Sequence, residues 1–551
     1  MRAPLYFLLG CLAVTGSSTR RFVFEDITAG TGIRFVAENG FSPMKLMIET
    51  MGSGVGVLDF NRDGRPDLLF VNGGGPPGSP PAGHNRLALY RNLGDGKFAD
   101  FTSPAHLNGS FETYGMGVAI ADYDNDGYPD ILLTGYPKSV LFHNQGDGTF
   151  ADVTGAAGVG NEGRWGTSAG WFDYNHDGLP DLVIANYVAD FSWNDRRFCG
   201  DAARNVRAYC HPDVYRGTGV RLYRNKGHGH FADVTVEAGL ESSEGKCLGL
   251  LLADFDGDGW PDIFVANDSV MNFFYRNRGD GTFEESALAS GVGFSADGQA
   301  EAGMGVDAAY LDSSAHPDIY VTHLDNELNR LYRNNGKAGF RDDTLKAGLG
   351  GEKSLFSGFG VRFADLDNSG TKQILVTNGH ILDNVELFRA QVAYREPLSL
   401  YAPMAGGRYR NASHESGNVF DKPLLGRGLV VADLDGDGRL DFVVSQNSGP
   451  PLIVRNRSAS GNWIAVDLEG SGGSTRDGLG AEVSVSSGGK RQRAQIMGGG
   501  SYCSAASMRV HFGIGSAQQV DALTIHWPSG ATQTRRNLAV NQVHRIAEKW
   551  P

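Results

Sequence analysis

The segment Asp122-Tyr123-Asp124-Asn125-Asp126-Gly127-Tyr128-Pro129-Asp130 recurs along this 551-residue chain and determines how the rest of it is interpreted. Four further copies keep oxygen-bearing side chains at positions 1, 3, 5 and 9 and a glycine at position 6; they begin at Asp59, Asp173, Asp254 and Asp433. Two altered copies begin at Tyr310 and Asp365. The interval ranges from 51 residues (Asp122 to Asp173) to 81 residues (Asp173 to Asp254). Self-similarity at such a period indicates a repeat architecture.

Each repeat is predicted to form four short β-strands. In the second repeat, a glycine-rich apolar run (115–121) precedes the acidic segment and another apolar run (131–134) follows it. A third run ends in His143-Asn144, where most repeats have Arg-Asn, and a fourth begins at Phe150. Four consecutive strands make one propeller blade. Seven repeats therefore predict an all-β fold with a seven-bladed β-propeller over residues 22–456.

The two ends of this region complement each other. The seventh repeat ends at Asn456 without a fourth strand, and the matching pattern, Phe24-Glu25-Asp26-Ile27-Thr28, stands at the N-terminus. We expect this strand to complete the last blade, because that pairing would join the ends of the ring and remove exposed sheet edges.

The repeats resemble the FG-GAP/VCBS propellers, which are related to the heads of integrin α-chains. Residues 457–551 resemble the ASPIC/UnbV domain; the matching residues are Asn462-Trp463-Ile464, Arg476 to Ala481, Gly498 to Tyr502, His511-Phe512-Gly513 and Trp527-Pro528-Ser529-Gly530. Together the two parts are similar to bacterial members of the cartilage acidic protein family. The resemblance implies a small, β-sandwich-like C-terminal domain after the propeller.

The acidic segments have the chemistry of calcium loops. Calcium takes six to eight oxygen ligands at flexible geometry, whereas magnesium requires stricter octahedral geometry. Positions 1, 3, 5 and 9 offer side-chain oxygens, position 7 offers a backbone carbonyl, and the glycine at position 6 permits the sharp turn. The alternative is that the aspartates only form ordinary turns, in which Asp and Gly are common.

We predict about five calcium ions, one in each complete copy of the segment. The predicted ligands are Asp59, Asn61, Asp63, Arg65 and Asp67; Asp122, Asp124, Asp126, Tyr128 and Asp130; Asp173, Asn175, Asp177, Leu179 and Asp181; Asp254, Asp256, Asp258, Trp260 and Asp262; and Asp433, Asp435, Asp437, Arg439 and Asp441. The copy with Asp365, Asp367 and Ser369 is expected to bind weakly or not at all, and the copy at Tyr310 is expected to hold no ion.

The N-terminus indicates export. An apolar run from Leu5 to Val14, followed by small residues, is typical of a signal peptide, predicted over residues 1–17; lipidation at Cys11 is the alternative. No later run is apolar enough to cross a membrane. The net charge is −14, whereas a nucleic-acid-binding protein needs a basic surface, so nucleic-acid binding is not expected. We therefore expect a secreted, periplasmic or cell-surface protein, in which Cys199 and Cys210 could form a disulfide.

Long insertions are predicted on one face of the propeller, opposite the calcium loops. They span 72–86, 186–221 and 378–408, and such loops on a rigid scaffold are typical of a binding surface. The aromatic residues of the second insertion could contact a sugar or peptide, or could form a small satellite core. Five glutamates are predicted at the channel mouth on this face: Glu49, Glu112, Glu162, Glu244 and Glu301. They could bind a cation or a cationic group, or could form a solvated rim.

The leading hypothesis is a non-enzymatic calcium-binding scaffold for a protein or polysaccharide ligand. An extracellular polysaccharide hydrolase or lyase, with its site at the channel mouth, is the first alternative. Its candidate residues, such as His211, His323 and His380, are scattered, and spacing alone identifies no Ser/His/Asp or paired-carboxylate arrangement. A structural module of an envelope complex is the second alternative.

Overall fold

The computed structural model describes residues 22–76, 85–109, 111–312, 314–350 and 355–549. The predicted signal segment and Cys11 lie outside these residues. Strands dominate the described part, and its two α-helices, α1 (Thr154–Ala157) and α2 (Ala287–Ser290), are single turns. Short 3-10 turns occupy Thr28–Gly30, Met47–Thr50, Pro212–Val214, Gly336–Ala338, Val385–Leu387, Ala405–Gly407, Ser413–Glu415 and Asn418–Asp421. The predicted all-β fold is confirmed.

The strands follow the predicted order of the repeats. After β1 (Phe24–Asp26), the first three blades contain β2 (Val55–Leu58), β3 (Asp67–Val71), β4 (Leu87–Gly94) and β5 (Lys97–Asp100); β6 (Tyr114–Ala121), β7 (Asp130–Tyr136), β8 (Val140–Asn144) and β9 (Phe150–Asp152); and β10 (Gly166–Phe172), β11 (Asp181–Asn186), β14 (Val220–Asn225) and β15 (Phe231–Asp233). A hairpin of β12 (Cys199–Asp201) and β13 (Val206–Ala208) extends from the third blade.

The remaining blades have the same plan. They contain β16 (Cys247–Ala253), β17 (Asp262–Asn267), β18 (Phe273–Asn277) and β19 (Phe283–Glu285); β20 (Val306–Ala309), β21 (Asp318–Val321), β22 (Arg330–Asn334) and β23 (Phe340–Asp342); β24 (Gly358–Ala364), β25 (Gln373–Asn378), β26 (Ser399–Pro403) and β27 (Tyr409–Asn411); and β28 (Gly426–Ala432), β29 (Asp441–Gln446) and β30 (Leu452–Asn456).

The sheets close into a ring. The innermost strands contact each other in the order β2, β6, β10, β16, β20, β24 and β28, and β28 returns to β2. Strand β1 pairs antiparallel with β30, with Phe24 opposite Asn456, so the N-terminal strand completes the last sheet as the repeat pattern predicts. Apolar side chains of neighbouring sheets fill the space between the blades, as Leu69 and Val118 do between the first two.

A repeated asparagine connects neighbouring blades. In the second blade, Asn144 Nδ2 donates to the carbonyl oxygen of Phe60, at position 2 of the preceding blade's acidic loop, at 3.0 Å. Equivalent bonds of 2.7–2.9 Å join Asn92 to Leu434, Asn225 to Tyr123, Asn277 to Tyr174, Asn334 to Phe255 and Asn456 to Leu366. The Asn of the Arg-Asn pattern is therefore a connection between blades.

The C-terminal region forms two small sheets. One contains β35 (Val510–Gly515), β31 (Asn462–Glu469) and β38 (Val543–Ala547), and β31 and β38 run parallel. The other contains β33 (Lys490–Gln495), β32 (Glu482–Ser487), β36 (Val520–His526) and β37 (Thr532–Leu538). Their facing side chains, including Val466, Val483 and Leu523, share one core that continues into the second and third blades.

A loop of this C-terminal region enters the propeller channel. Strand β34 (Gly498–Gly499) pairs with β16, the innermost strand of the fourth blade. The next residues, Tyr502 and Cys503, are fully buried, and the Tyr502 hydroxyl donates to the carbonyl oxygen of Met51 at 2.7 Å. Segment 498–505 therefore fills the channel, and we call it the plug. The sequence pattern gave no indication that this segment enters the channel.

The glycines of the innermost strands make room for the plug. A Cβ atom at Gly54 would lie 2.0 Å from the carbonyl oxygen of Cys503. At Gly117 it would lie 2.9 Å from the Cα of the same residue. Both contacts are closer than real Cβ atoms allow, so side chains at these positions would force the plug to move.

We predict that Gly54→Ala destabilises the protein by about 1–3 kcal/mol, because its methyl group would overpack against the plug backbone. Thermal melting in calcium-containing buffer measures the effect. Gly155→Ala is the matched control, since a Cβ there would have no atom within 4 Å. Equal melting temperatures for the two variants would contradict the close approach of the plug.

Candidate metal centres

The acidic loop of the second blade shows how each copy is built. Backbone N–H groups of Asp126 and Gly127 donate to the two carboxylate oxygens of Asp122, at 2.9 and 2.7 Å. Gly127 has φ +99°, which an L side chain rarely adopts. These bonds curl the loop so that one carboxylate oxygen from each of Asp122, Asp124 and Asp126 lies within 4.8 Å of the others.

The same arrangement recurs in the other complete copies. The position-6 glycine N–H donates to the position-1 aspartate at 2.8–2.9 Å in the blades of Asp59, Asp173, Asp254 and Asp433. Close carboxylate groups also form at Asp254, Asp256 and Asp262 and at Asp433, Asp435 and Asp441. In the first and third blades, Asn61 and Asn175 supply position 3, so an amide oxygen replaces a carboxylate.

The backbone of the position-7 residues is held by the loops, and the role of their carbonyl oxygens as ligands stays a prediction. Their backbone N–H groups donate to the position-5 aspartates at 2.8–3.1 Å, and the residues concerned are Arg65, Tyr128, Leu179, Trp260 and Arg439. Different side chains are tolerated there because the backbone makes the contact.

The position-9 aspartates connect the loops to the blades. Asp130 is fully buried; its Oδ1 accepts from the Asn144 N–H at 2.8 Å and its Oδ2 from the Tyr123 N–H at 3.1 Å. The corresponding Asn N–H bonds at Asp67, Asp181, Asp262 and Asp441 measure 2.7–2.9 Å. His143 Nδ1 also lies 3.2 Å from Asp130 Oδ1, so Oδ2, with one lone pair left, is the oxygen of Asp130 that is open to a cation.

Several of the buried carboxylates are electrostatically unfavourable without a cation. Burial, reinforced by neighbouring aspartates, raises the pKa of Asp67 to about 8 and that of Asp122 to about 8. Burial likewise raises the pKa of Asp173 to about 7. A bound divalent cation would favour the charged forms and offset this cost.

The altered copies lose ligand side chains and contain internal donors, although complete copies also have basic neighbours, such as Arg455 beside Asp435 and His143 beside Asp130. In the fifth blade, Arg333 Nη1 pairs with the position-9 residue Asp318 at 2.6 Å, and Tyr310 and Ser314 occupy positions 1 and 5. In the sixth blade, the Gln373 amide donates to Asp367 at 3.4 Å, and Ser369 Oγ lies 2.8 Å from the hydroxyl of Thr371. The Asp365 carboxylate keeps its contact with Gly370 N–H. Weak or absent ion binding in these two blades stays a prediction.

The five glutamates of the predicted ring have different surroundings. Glu49 is buried and accepts from the hydroxyls of Tyr209 and Ser42, and Glu301 forms an ion pair with Arg330. Glu112 lies 3.4 Å from Lys138 and, like Glu162 and Glu244, is exposed. A shared cation site at the channel mouth would have to compete with the internal partners of Glu49 and Glu301, and it stays a hypothesis.

The insertion of the third blade forms a small core. The structure joins Cys199 and Cys210 by a disulfide, and Cys247 and Cys503 are buried free thiols. The aromatic residues Tyr187, Phe191, Tyr209 and Tyr215 are buried, whereas Phe198 is exposed. Most of these rings therefore pack as a satellite core. Of the candidate histidines, His323 and His380 are also buried, and His211 is largely exposed.

Comparisons with known proteins follow the same division of the chain. FG-GAP-like repeats match at residues 59–133, 122–184, 210–265 and 254–321, and the ASPIC and UnbV family matches at residues 470–550. Cartilage acidic protein 1 of Homo sapiens is 26% identical over 580 residues, covering 99% of this chain and 78% of the relative. Its Xenopus tropicalis counterpart is 26% identical, covering 81% and 74%.

Solved structures are similar at a coarser level. An Agrocybe aegerita lectin, described as recognising non-reducing terminal N-acetylglucosamine, matches with a TM-score of 0.40 and 17% identity, covering 74% of this chain and 94% of the lectin. The exotype rhamnogalacturonan lyase YesX matches with a TM-score of 0.35 and 15% identity, covering 73% and 71%. Neither likeness supports a conclusion about function. The family matches, their order and the relatives confirm the predicted resemblance: the chain contains FG-GAP-like repeats followed by an ASPIC and UnbV domain.

Proposed function

We propose that this chain is an exported, calcium-binding β-propeller that acts as a non-enzymatic scaffold for a protein or polysaccharide ligand. The observation that carries the calcium assignment is the repetition of one oxygen-only loop. Each of the five complete loops offers four side-chain oxygens and a backbone carbonyl, and calcium prefers oxygen ligands of this kind. A single loop of this kind could be an ordinary acidic turn. Five loops with the same spacing of oxygen-bearing residues are better explained by a shared role in binding a cation.

The calcium ions would have a structural role. The position-9 carboxylates lie between the loops and the third strands, and the asparagines of those strands connect adjacent blades. Without an ion, the aspartates of each loop repel one another and the buried ones carry a desolvation cost. Extracellular calcium sites bind at about 10⁻⁴–10⁻³ M, which would keep such loops filled outside the cell.

Ligand binding is proposed for the face that carries the insertions. Arg207 in the third blade's hairpin donates to the Met44 carbonyl oxygen, and Asn384 of the sixth blade's insertion donates to the Arg207 carbonyl oxygen, both at 2.9 Å. Lys45 forms an ion pair with Asp383. These contacts join the insertions of the third and sixth blades to the segment between β1 and β2, and on the resulting surface Phe41, Phe198 and Phe388 are partly or largely exposed.

Export is supported by the N-terminal apolar run and by the disulfide. Disulfides form and persist in oxidising compartments and are rare in the cytosol. Among the described residues, no helix is long and apolar enough to cross a membrane.

We predict that the stability of calcium-free protein falls as the pH rises from 5 to 8. Burial raises the folded-state pKa values of Asp67, Asp122 and Asp173 to about 8, 8 and 7, above those of an unfolded chain. The folded state then binds more protons than the unfolded state, so this stability is complete below pH 4 and is lost as the pH rises through the folded pKa values.

Thermal melting in chelator and in 5 mM calcium measures this dependence. Calcium should raise the melting temperature at pH 8 more than at pH 5, and magnesium is the control ion. A melting temperature that is independent of calcium at pH 8 would show that the loops are only turns.

We predict that Asp124→Ala removes one calcium ion and lowers the melting temperature in calcium by several degrees, because it deletes one side-chain ligand. Asp312→Ala is the matched control, since Asp312 holds the same position 3 in the altered loop of the fifth blade. It should leave the calcium stoichiometry from isothermal titration calorimetry unchanged. Equal loss in both variants would argue against the assignment of ions to complete loops.

A further inference from the structure

The second blade differs from the others at the residue before the inter-blade asparagine. The other six repeats have an arginine there, and the second has His143. In three of the blades with complete loops, this arginine forms an ion pair with an aspartate of its own loop: Arg91 with Asp63 at 3.4 Å, Arg224 with Asp177 at 3.6 Å, and Arg455 with Asp435. A guanidinium stays protonated and cannot bind a metal ion, whereas an imidazole is a common metal ligand.

His143 faces two carboxylates of its acidic loop. Its Nδ1 lies 3.2 Å from Asp130 Oδ1 and 3.4 Å from Asp124 Oδ2. Zinc binds nitrogen and oxygen ligands at about 2.0–2.2 Å in a tetrahedron, so neighbouring ligand atoms of a zinc site lie about 3.3–3.5 Å apart. The two measured distances are close to that spacing, so one zinc ion could bridge the imidazole and either carboxylate.

The three side chains also form one compact group of ligand atoms. A ring nitrogen of His143 and one oxygen from each of Asp124 and Asp130 all lie within 4.8 Å of one another. The other such groups found among the described residues contain carboxylates alone. The second blade thus adds a nitrogen to its oxygens. Zinc accepts this mixture readily, whereas calcium prefers oxygen ligands.

Hydrogen bonds and packing hold the ligand atoms in place. Asp130 is fully buried and accepts from the backbone N–H groups of Tyr123 and Asn144. The ring of Tyr123 packs edge-on against His143, with the ring centroids 6.0 Å apart. The Oδ1 of Asp124 accepts from the Asp126 N–H at 3.3 Å, and its Oδ2 is the oxygen toward His143. Ligands held in this way lose little freedom when an ion binds.

The group can be reached from solvent. The side chains of His143 and Asp124 are 25% and 27% exposed, so an ion can enter and a water molecule can complete the tetrahedron. The partial exposure of Asp124 also leaves its carboxylate room to move toward an ion held by the buried Asp130.

We propose that Asp124, Asp130 and His143 form a zinc site in the second blade. Zinc takes the place of the proton between His143 Nδ1 and Asp130 Oδ1. The proposal deepens the cation binding proposed for this loop and rests on it in one respect. Zinc and calcium would both use Asp124 and Asp130, so the two ions should compete.

Titration calorimetry of the full chain with zinc chloride, with and without 5 mM calcium, tests the proposal. The hydrogen bond to Asp130 raises the pKa of His143 to about 9, so zinc has to displace a proton and is best titrated at pH 8. We expect one zinc ion to bind more tightly than any other and to bind more weakly when calcium is present.

His143→Arg should weaken the tightest zinc binding at least 100-fold, because even loss of a residue that only supports a metal ligand costs about 10–100-fold. Arginine occupies this place in the other blades, so the variant should fold, and its melting temperature checks that it does. His143→Gln is a second variant, which removes the imidazole without adding a charge.

His414→Gln is the matched control, since His414 Nδ1 also lies 3.2 Å from a carboxylate, that of Asp421. It should leave the tightest zinc site unchanged. A folded His143→Arg protein that binds zinc as tightly as the original chain would overturn the proposal, and so would an original chain that binds no zinc. Zinc binding that depends on His143 in a chain that binds no calcium would support the zinc site and contradict the proposed calcium function.

Discussion

The propeller depends on a buried carboxylate at the ninth position of each complete acidic loop. In the second blade, Asp130 accepts one backbone bond from its own loop, at Tyr123, and one from the third strand, at Asn144. The side chain of Asn144 then bonds to Phe60 in the neighbouring blade. A carboxylate in this position is costly unless its charge is compensated. The proposed ion binding, the shape of the blade and the closure of the ring would therefore be coupled through one group, repeated around the molecule.

The plug restricts where a ligand can bind. Tyr502 and Cys503 fill the channel from the side of the C-terminal domain, and an apolar cluster that includes Met47, Trp165 and Phe359 surrounds them. A polymer cannot pass through a channel that is packed in this way. The proposed ligand binding is therefore restricted to the outer surfaces of the ring, such as the face that carries the insertions.

Much of the fold could be predicted because its signals are local and repeated. The recurring nine-residue segment indicated the acidic loops, and the apolar runs on either side of it indicated the strands. The strand pattern at Phe24, which the seventh repeat lacks, indicated how the ring closes. The role of the repeated asparagine was missed, since its partner lies in another repeat. The plug was missed for a similar reason, because Cys503 contacts Gly54 and Gly117, which are hundreds of residues away in sequence. The glycine-rich inner strands were a sequence signal that something packs closely against them. The sequence indicated only that Tyr310 replaces the first aspartate of an acidic loop. The structure shows that its hydroxyl lies 3.5 Å from the Glu482 carboxylate of the C-terminal region.

Native mass spectrometry of the purified full chain, prepared with calcium and exchanged into ammonium acetate, tests the calcium assignment most directly. We expect a mass increase equal to about five calcium ions, lost together with stability when a chelator is added. A chain that carries no calcium ion and melts at the same temperature with and without chelator would contradict the assignment and leave the acidic segments as turns.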